Sequence, residues 1–404
     1  MKMKERKQIK ILYITSLTFR TASSASIRNV SLINGLIEEG YKVDLITIKY
    51  PKNFEDEYLQ QIISDEVNIY RSEVSIINKY LNRKNNNISS SSYKRRHSFL
   101  NFFKRIIKSL YFFPDTDKGW INKYNIDNLK NDYNIIISSS DTKTSHFVAK
   151  KVLKKLKGVE WYQIWGDPWK DDINLNKLDK LRVRFYEKHM LRKASKIFYV
   201  SLPTTKAMSE KYKQYSNKIF YLGRSFLNEC KGREINIDKD LIFTYTGSIN
   251  KNRNITNLIS KIEDHNISND RKIHLNIYGA CSKEVKELLD NYDFVSLKGI
   301  VGYKNILEIY KDSDVLLFID NGDNTTQIPG KLYDYFGTDR PIYALVENYN
   351  NPVTQFILST KRCVVNKNSI DNIDFNFLNN LKKESVMKDY SGKSLAKKLI
   401  NYES

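Results

Sequence analysis

Apolar and polar positions follow two different rhythms near the start of the chain. Ile11 to Thr15 is a short apolar run, and a Ser/Thr-rich loop over Thr21 to Ser26 follows it. Apolar side chains then recur at helical spacing at Ile27, Val30, Ile33, Leu36 and Ile37. Gly40 is typical of a helix end, and Val43 to Ile48 predicts the next strand. This strand–helix–strand order predicts a parallel sheet in a doubly wound domain.

A second strand–helix series follows the first after a polar stretch. In the first series, Ile135 to Ser138 and Ile197 to Val200 predict further strands. Residues 223–240 lack apolar periodicity and predict an interdomain linker. Five more strands, separated by helical patterns, are predicted near 241–246, 273–278, 294–297, 314–319 and 341–345. The sequence therefore predicts an α/β protein with two doubly wound Rossmann-like domains, over 1–222 and 241–390. We expect the last helix, within 391–404, to pack back on the first domain.

Length and cysteine content narrow the class of protein. A chain of 404 residues suits two α/β domains of ordinary size. The three cysteines, Cys230, Cys281 and Cys363, are far apart and lack metal-ligand spacing, which favours a reducing, cytoplasmic compartment. No apolar run approaches the roughly 20 residues that span a bilayer. The loop after the first strand lacks the G-x-G-x-x-G fingerprint, which argues against a dinucleotide-dependent dehydrogenase.

The net charge of +21 calls for an anionic partner, and part of it is concentrated in one segment. Nine basic residues and no acidic residue lie between Glu73 and Asp115. Within 94–113, apolar side chains fall at helical spacing at Phe99, Phe102, Phe103, Ile106, Ile107 and Leu110. A basic amphipathic helix rich in Phe suits an anionic membrane surface. The alternative is that this apolar stripe packs into the core of the first domain.

Several segments, taken in order, resemble the retaining, family-4-type GT-B glycosyltransferases of bacterial surface-polysaccharide synthesis. They are Thr244 to Ser248 with Arg253, Asn276 to Gly279, Lys298 to Val301, Ser313 to Leu317, and Gln327 to Tyr335 followed by Arg340-Pro341-Ile342. The resemblance implies two Rossmann-like domains facing across a cleft, with a nucleotide-sugar donor held by the second domain. It also implies that no metal and no separate cofactor are needed.

The chemistry of the donor explains why cations are expected in these segments. A donor diphosphate gains charge as the glycosidic bond breaks, and preorganised cations stabilise that charge. Arg253 and Lys331 match the family's diphosphate-binding arginine and lysine, and the alternative for each is an ordinary surface role. Asp334 stands where the family has a glutamate that binds the ribose hydroxyls. Further donor-binding positions implied by the resemblance are Gly247, Gly279, Val301 and Gln327.

This chain departs from the family pattern in both predicted domains. The family's other glutamate falls at Thr326, and Gly166 replaces an arginine that usually precedes Asp167. Asp167 stays a candidate polar contact for the acceptor or the reacting sugar, with a structural turn as the alternative. In the first domain we expect Ser24 and Ser26, at a helix start, to approach the donor diphosphate. His146 is a weaker candidate, for which a structural role is favoured.

The resemblance leads to a functional hypothesis with two rivals. We expect transfer of a sugar from a UDP-linked donor to a lipid-linked or growing glycan acceptor, with retention, by a cytoplasmic enzyme peripheral to the inner face of the membrane. The first rival is a GT-B-fold nucleotide-sugar epimerase, which would need a carboxylate and histidine constellation. The second rival is a basic nucleic-acid-binding protein. The basic segment matches no nucleic-acid recognition module, so we expect no nucleic-acid partner.

Overall fold

The computed structural model describes most of the chain. The described residues are 9–21, 23–73, 111, 113–124, 129–140, 142–170, 175, 177–236, 238–249, 253–320, 322 and 326–402. They divide into two compact units. The first contains the described residues up to Val200, those of Thr204–Gly223 and those from Ala396 onwards. The second contains Ser201–Pro203 and the described residues of Arg224–Leu395.

The first unit is built on a seven-stranded sheet in the order β3-β2-β1-β4-β5-β6-β7, with every pair parallel. Its strands are β1 (Lys10–Ile14), β2 (Lys42–Lys49), β3 (Asn68–Glu73), β4 (Ile135–Ser139), β5 (Glu160–Trp165), β6 (Lys196–Tyr199) and β7 (Ile219–Tyr221). Its helices are α1 (Ser24–Glu38), α2 (Glu57–Ile62), α3 (Trp120–Lys123), α4 (Thr144–Val152), α5 (Lys177–Lys193) and α6 (Leu202–Lys211), the last of which begins within Ser201–Pro203.

The second unit has a six-stranded parallel sheet in the order β10-β9-β8-β11-β12-β13. Its strands are β8 (Leu241–Thr246), β9 (Ile273–Tyr278), β10 (Val295–Gly299), β11 (Val315–Ile319), β12 (Ile342–Val346) and β13 (Cys363–Lys367). Its helices are α7 (Thr256–Ser268), α8 (Lys283–Leu289), α9 (Tyr303–Asp312), α10 (Gly330–Phe336) and α11 (Pro352–Thr360). The last helix, α12 (Gly392–Asn401), begins in this unit and ends in the first.

Each sheet reverses its direction of growth once. In the first sheet the chain adds strands on one side of β1 and then on the other side from β4, and in the second sheet the same reversal separates β8 from β11. Such a reversal leaves a crevice at the carboxyl ends of the two strands, where open α/β sheets bind ligands. The prediction of two doubly wound Rossmann-like α/β units is confirmed.

The apolar runs of the central strands explain why the sheets hold together. All five residues of β11 are buried, and so are all five of β12, as parallel strands covered on both faces require. The helix expected around Ile27 to Ile37 is α1, whose N-cap residue Ser23 accepts a hydrogen bond from the Ser26 amide. No helix in the described part of the chain is long and apolar enough to span a bilayer.

The end of α12 packs within the first unit. The Tyr402 ring lies 4.6 Å from the Phe220 ring, and the Lys398 ammonium lies 4.4 Å over the ring of Tyr221. Lys398 Nζ also donates to the Leu222 carbonyl oxygen at 3.1 Å. These contacts join the chain terminus to the edge strand β7.

Candidate functional site

Predicted donor-site residues of the second unit lie at one edge of its sheet. Gly247 directly follows β8, Gly279 follows β9, and Val301 lies just beyond β10. Gln327 lies between β11 and α10, and α10 begins at Gly330. Because all these strands are parallel, their carboxyl ends share this edge, and β8 and β11 flank the reversal point. Val301 is half-buried and Gln327 is exposed.

Two glycines allow the first two loops to pack backbone against backbone. Gly247 has φ +129° and Gly279 has φ +154°, so both occupy a region that side chains disfavour. A Cβ on Gly279 would lie 2.1 Å from the carbonyl oxygen of Gly247. The Gly247 amide donates to the Tyr278 carbonyl oxygen at 2.7 Å. A Cβ on Gly247 would lie 2.6 Å from Lys331 Nζ, so this glycine makes room for the ammonium group.

Lys331 brings a half-buried positive charge to this space. Its ammonium lies 3.8 Å from the ring centroid of Tyr245 and donates to the Tyr245 hydroxyl at 2.5 Å. Burial, and then the charge of Arg253, hold the pKa of Lys331 well below its ordinary value. Among the described residues Lys331 has no carboxylate within salt-bridge distance. The protein therefore holds an ammonium group in a setting that an anion would stabilise.

Arg253 joins the same cluster from the other side of Tyr245. Its guanidinium donates to the Ser248 carbonyl oxygen, to which the Tyr245 hydroxyl also donates at 3.2 Å. Burial raises the pKa of Tyr245 to about 12, although the nearby Arg253 opposes that rise. The structure thus brings Arg253, Lys331 and Gly247 together around one tyrosine. Sequence reasoning missed Tyr245, because a tyrosine in a buried strand is indistinguishable from an ordinary core residue.

Asp334 lies on α10, one turn after Lys331, and is incompletely satisfied. Its Oδ1 atom is buried and has no hydrogen-bond partner among the described residues. Burial raises the pKa of Asp334 to about 6, and the charge of Arg224 opposes the rise. Arg224 is itself buried and lies against Gly330, where a Cβ would come within 1.9 Å of its guanidinium. Arg224 was also missed, since it falls in the stretch that the sequence predicted to be a linker.

Two of the predicted first-unit residues lie at the start of α1. Ser24 is exposed, whereas Ser26 is fully buried. The Ser26 amide donates to Oγ of Ser23 at 3.3 Å, and its hydroxyl accepts from the Arg20 amide at 3.2 Å. Both polar groups of Ser26 therefore have partners within the unit. The structure gives Ser26 a local role in capping α1 and in fixing the loop before it.

Asp167 and His146 lie near the carboxyl end of β5. Asp167 is half-buried, and its carbonyl oxygen accepts from Lys143 Nζ at 2.9 Å. His146 is buried between tryptophans, with its ring 4.3 Å from that of Trp165 and its Nδ1 2.8 Å from Ser138 Oγ. Burial, and then the charge of Lys143, hold the pKa of His146 well below its ordinary value. These contacts agree with the structural role that the sequence favoured for His146.

A carboxylate pair at the same edge of the first sheet, the half-buried Asp115 and the buried Asp117, was not identified from the sequence. Asp115 accepts from the Thr144 amide at 2.8 Å, from the Thr144 hydroxyl at 2.6 Å and from the Asp117 amide at 2.9 Å. Asp117 accepts from the Tyr50 hydroxyl at 3.2 Å. Burial, and then the charge of Asp117, raise the pKa of Asp115 to about 7. The signal in the sequence was the short D-x-D spacing, which alone is common in turns.

The remaining predictions concern membrane contact and metal binding. Of the predicted membrane segment 94–113, Tyr111 and Phe113 are described and the rest lies outside the described residues. In the described part of the chain, no group of three or more His, Cys, Asp or Glu side chains is arranged to hold a metal ion.

The chain resembles several solved structures over nearly its whole length. No protein-family model and no curated protein sequence matches it. The crystal structure of TarM matches with a TM-score of 0.59 and 13% identity, covering 99% of both chains. A putative UDP-N-acetylglucosamine 2-epimerase from Listeria monocytogenes matches with a TM-score of 0.53 and 10% identity, covering 98% of both chains. AviGT4, a glycosyltransferase involved in avilamycin A biosynthesis, matches with a TM-score of 0.50 and 9% identity, covering 97% of this chain and 96% of its own. At such identities the similarity shows the two-domain α/β fold.

Proposed function

We propose that the protein is a glycosyltransferase that moves a sugar from a UDP-linked donor to a lipid-linked or growing glycan acceptor. The observation that carries the proposal is the cation cluster of Lys331 and Arg253 around Tyr245, at the reversal point of the second sheet. Fold similarity to a glycosyltransferase and to a sugar-nucleotide epimerase supports the assignment to sugar-nucleotide chemistry.

A diphosphate is the ligand that best explains this cluster. Bringing two cations together in a poorly hydrated place is unfavourable, and the lowered pKa of Lys331 reflects that cost. A doubly charged diphosphate would offset it by accepting hydrogen bonds from both groups. Gly247 leaves room for the Lys331 ammonium beside the loop after β8, where a phosphate oxygen would meet it.

The same groups would stabilise the leaving group during transfer. The bond between the anomeric carbon and the diphosphate oxygen breaks, and negative charge develops on the departing diphosphate beside Lys331 and Arg253. The acceptor hydroxyl oxygen forms the new bond to the anomeric carbon, and its proton passes to a diphosphate oxygen. Attack on the face from which the diphosphate leaves retains the configuration, as the family-4-type resemblance implies.

Asp334 is the proposed partner of the donor ribose. Its buried Oδ1 atom has an unused acceptor position, and a ribose hydroxyl would donate to it. Because Asp334 lies on the same short helix as Lys331, one helix would fix both the ribose and the diphosphate.

We propose donor contacts for Val301 and Gln327, a diphosphate approach for Ser24, and an acceptor or sugar contact for Asp167. We also propose a cytoplasmic location at the inner membrane face, with 94–113 contacting anionic lipid.

An epimerase acting on a nucleotide sugar is a second candidate. The observation that favours it is the pair of Asp115 and Asp117, since a carboxyl group whose pKa is raised toward the working pH is suited to proton transfer at a sugar carbon. The same pair has an alternative explanation, because Asp115 caps the start of α4 through Thr144. Sugar transfer therefore remains the leading proposal.

The experiment is a turnover assay with a panel of UDP-sugars, each tested with and without lipid-linked and oligosaccharide acceptors. A transferase should release UDP in proportion to the glycosylated product, and only with acceptor present. An epimerase would convert the donor sugar without acceptor and without releasing UDP in step with a transferred sugar. If the protein neither binds nor converts any UDP-sugar of the panel, both candidates are contradicted.

A further inference from the structure

The outer face of α5 combines exposed apolar and basic side chains. Leu181 is 67% exposed and Phe185 is 68% exposed, and they lie one helical turn apart. Arg184, Lys188 and Arg192 are exposed on the same face of the helix. Two large and strongly exposed apolar side chains that lie next to each other indicate an interaction surface.

The acidic residues of α5 do not offset this positive charge at the surface. Asp179 and Glu187 are both buried. Glu187 is occupied inside the unit, where it accepts from the amides of Trp169 at 2.6 Å and Lys170 at 3.0 Å and from the Tyr212 hydroxyl at 2.6 Å. The exposed ionisable side chains of the helix between Asp179 and Lys193 are therefore all basic: Lys180, Arg184, Lys188, Arg192 and Lys193.

Positive charge extends from α5 onto its neighbour α4. Burial, and then the charges of Lys193 and Lys154, lower the pKa of Lys150. Burial, and then the charges of Lys150, Lys193 and Arg192, lower the pKa of His189. These like charges lie close enough to disfavour one another, so the two helices share one positively charged surface. An anionic partner would relieve that repulsion.

One described residue of the segment that the sequence predicts to contact membrane packs on α5. Phe113, the last residue of that segment, has its ring 5.0 Å from the ring of Tyr186 on α5. The Arg182 guanidinium, also on α5, lies 4.0 Å over the Phe113 ring. Phe113 therefore packs against α5 through Tyr186 and Arg182.

We infer that the outer face of α5 docks on an anionic lipid bilayer, with Leu181 and Phe185 inserted at the interface and Arg184, Lys188 and Arg192 on lipid phosphates. A lipid surface is favoured over nucleic acid because it accommodates both kinds of side chain, whereas binding to a phosphate backbone uses the charges alone. The inference concerns lipid binding only. Its failure would leave the sugar-transfer proposal intact, and failure of the sugar-transfer proposal would leave the lipid-binding inference intact.

Sedimentation of the full-length protein with vesicles tests the inference. The wild type should sediment with phosphatidylglycerol-containing vesicles and stay in solution with pure phosphatidylcholine vesicles. Two variants should each weaken the partition onto the phosphatidylglycerol-containing vesicles at least about tenfold. One carries Leu181→Ser and Phe185→Ser together, and the other carries Arg184→Ala, Lys188→Ala and Arg192→Ala together. A matched control is Ile267→Ser with Ile370→Ser, two exposed apolar residues of the second unit, which should sediment like the wild type.

A second measurement guards against misfolded variants. Phe185→Trp keeps a large aromatic side chain, and the four native tryptophans lie at 120, 161, 165 and 169. Its fluorescence emission should shift to shorter wavelength when phosphatidylglycerol vesicles are added. An unshifted emission, or vesicle binding that survives in both α5 variants, would overturn the inference. Binding to a DNA duplex that displaces the vesicles and persists in the serine variant would also overturn it, and would identify a nucleic-acid surface.

Discussion

The carboxyl-end edges of the two sheets share a topology and differ in their chemistry. At the edge of the first sheet, many polar side chains bond to one another, while Nε2 of the buried His146 has no hydrogen-bond partner among the described residues. Asn29, for example, donates to Thr15 Oγ1 at 3.0 Å and to the Leu17 carbonyl oxygen at 2.7 Å, and accepts from the Tyr13 hydroxyl at 3.0 Å. At the edge of the second sheet, Lys331 has no carboxylate partner among the described residues, and an oxygen of Asp334 has no hydrogen-bond partner there.

The two edges differ most in charge, because the second gathers the Lys331 ammonium and the Arg253 guanidinium around one tyrosine. Buried polar groups in native proteins are nearly always paired, so a buried group without a partner needs an explanation. In the first unit the donors and acceptors are used to hold α1, α4 and the strand ends together. In the second unit Gly247 leaves room for the Lys331 ammonium, and Gly279 lets the first two loops pack backbone against backbone. Because the two sheets share a topology, the side chains of the second edge, and not the fold, point to an anionic ligand.

The largest expected effect comes from removing the half-buried ammonium of Lys331. Lys331→Ala should lower turnover by at least about 100-fold, because a preorganised charge at the leaving group would be lost. Lys304→Ala removes an exposed lysine from α9 of the same unit and should retain turnover. The assay is UDP release in the presence of donor and acceptor. Equal turnover in the two variants would remove the contrast between the two sheet edges.

Filling the space beside Lys331 should have the next largest effect. The Cβ of Gly247→Ala would lie 2.6 Å from Lys331 Nζ and displace the ammonium. We expect UDP binding to weaken about 10- to 100-fold, measured by calorimetry. Gly40→Ala is the matched control, since Gly40 also has a positive φ, of +84°, but has no atom within 4 Å of its Cβ position. Unimpaired UDP binding by Gly247→Ala would show that the ammonium position is unimportant.

Asp334→Asn should change stability and binding in opposite directions. The folded-state pKa of Asp334 is raised to about 6, so the stability contributed by its protonated form is lost as the pH rises through about 6. At pH 7.5 the carboxylate is ionised, and its ionisation disfavours the folded state. Removing the charge should raise the unfolding free energy by about 1 to 3 kcal/mol. UDP binding should weaken about tenfold, since a charged acceptor is lost. A melting curve and a UDP titration measure the two effects, and a parallel loss of both would assign Asp334 a purely structural role.

The smallest effect concerns the carboxylate pair of the first unit. Burial raises the pKa of Asp115 to about 7, so the folded state binds more protons than the unfolded state between about pH 4 and 7, and stability falls as the pH rises through that range. Asp115→Asn should flatten this dependence by about 1 to 2 kcal/mol and leave UDP binding unchanged. Urea titrations followed by tryptophan fluorescence suit the test, because all four tryptophans lie in the first unit. Weaker UDP binding in this variant would contradict the contrast.

The sequence predicted the fold well where strands are continuously apolar. The strands expected at 241–246 and 273–278 have those bounds, and the strand expected at Ile135 to Ser138 is β4. Strand β5 was not predicted, since Gln163 interrupts its apolar run. In the structure Gln163 is buried and paired, donating to the Met190 carbonyl oxygen at 3.0 Å and accepting from Trp165 Nε1 at 3.0 Å. The sequence of one strand does not show that a residue elsewhere in the fold will satisfy its buried glutamine.

The candidate site could be predicted in outline from the order of its motifs. Arg253, Lys331, Gly247 and Asp334 were chosen from resemblance and chemistry, and the structure places the first three around Tyr245. Their shared tyrosine was beyond sequence reasoning, because its hydroxyl reaches the site from a strand that otherwise builds the core.

The most direct test compares the affinities of UDP and uridine for the wild type and for a variant carrying Arg253→Ala and Lys331→Ala. Uridine lacks the diphosphate, so the ratio of the two affinities isolates the contribution of the cations. We expect the wild type to bind UDP at least about 100-fold more tightly than uridine, and the variant to lose most of that ratio while its uridine affinity is unchanged. A ratio that stays the same in the variant would contradict the assignment of this edge as a diphosphate site.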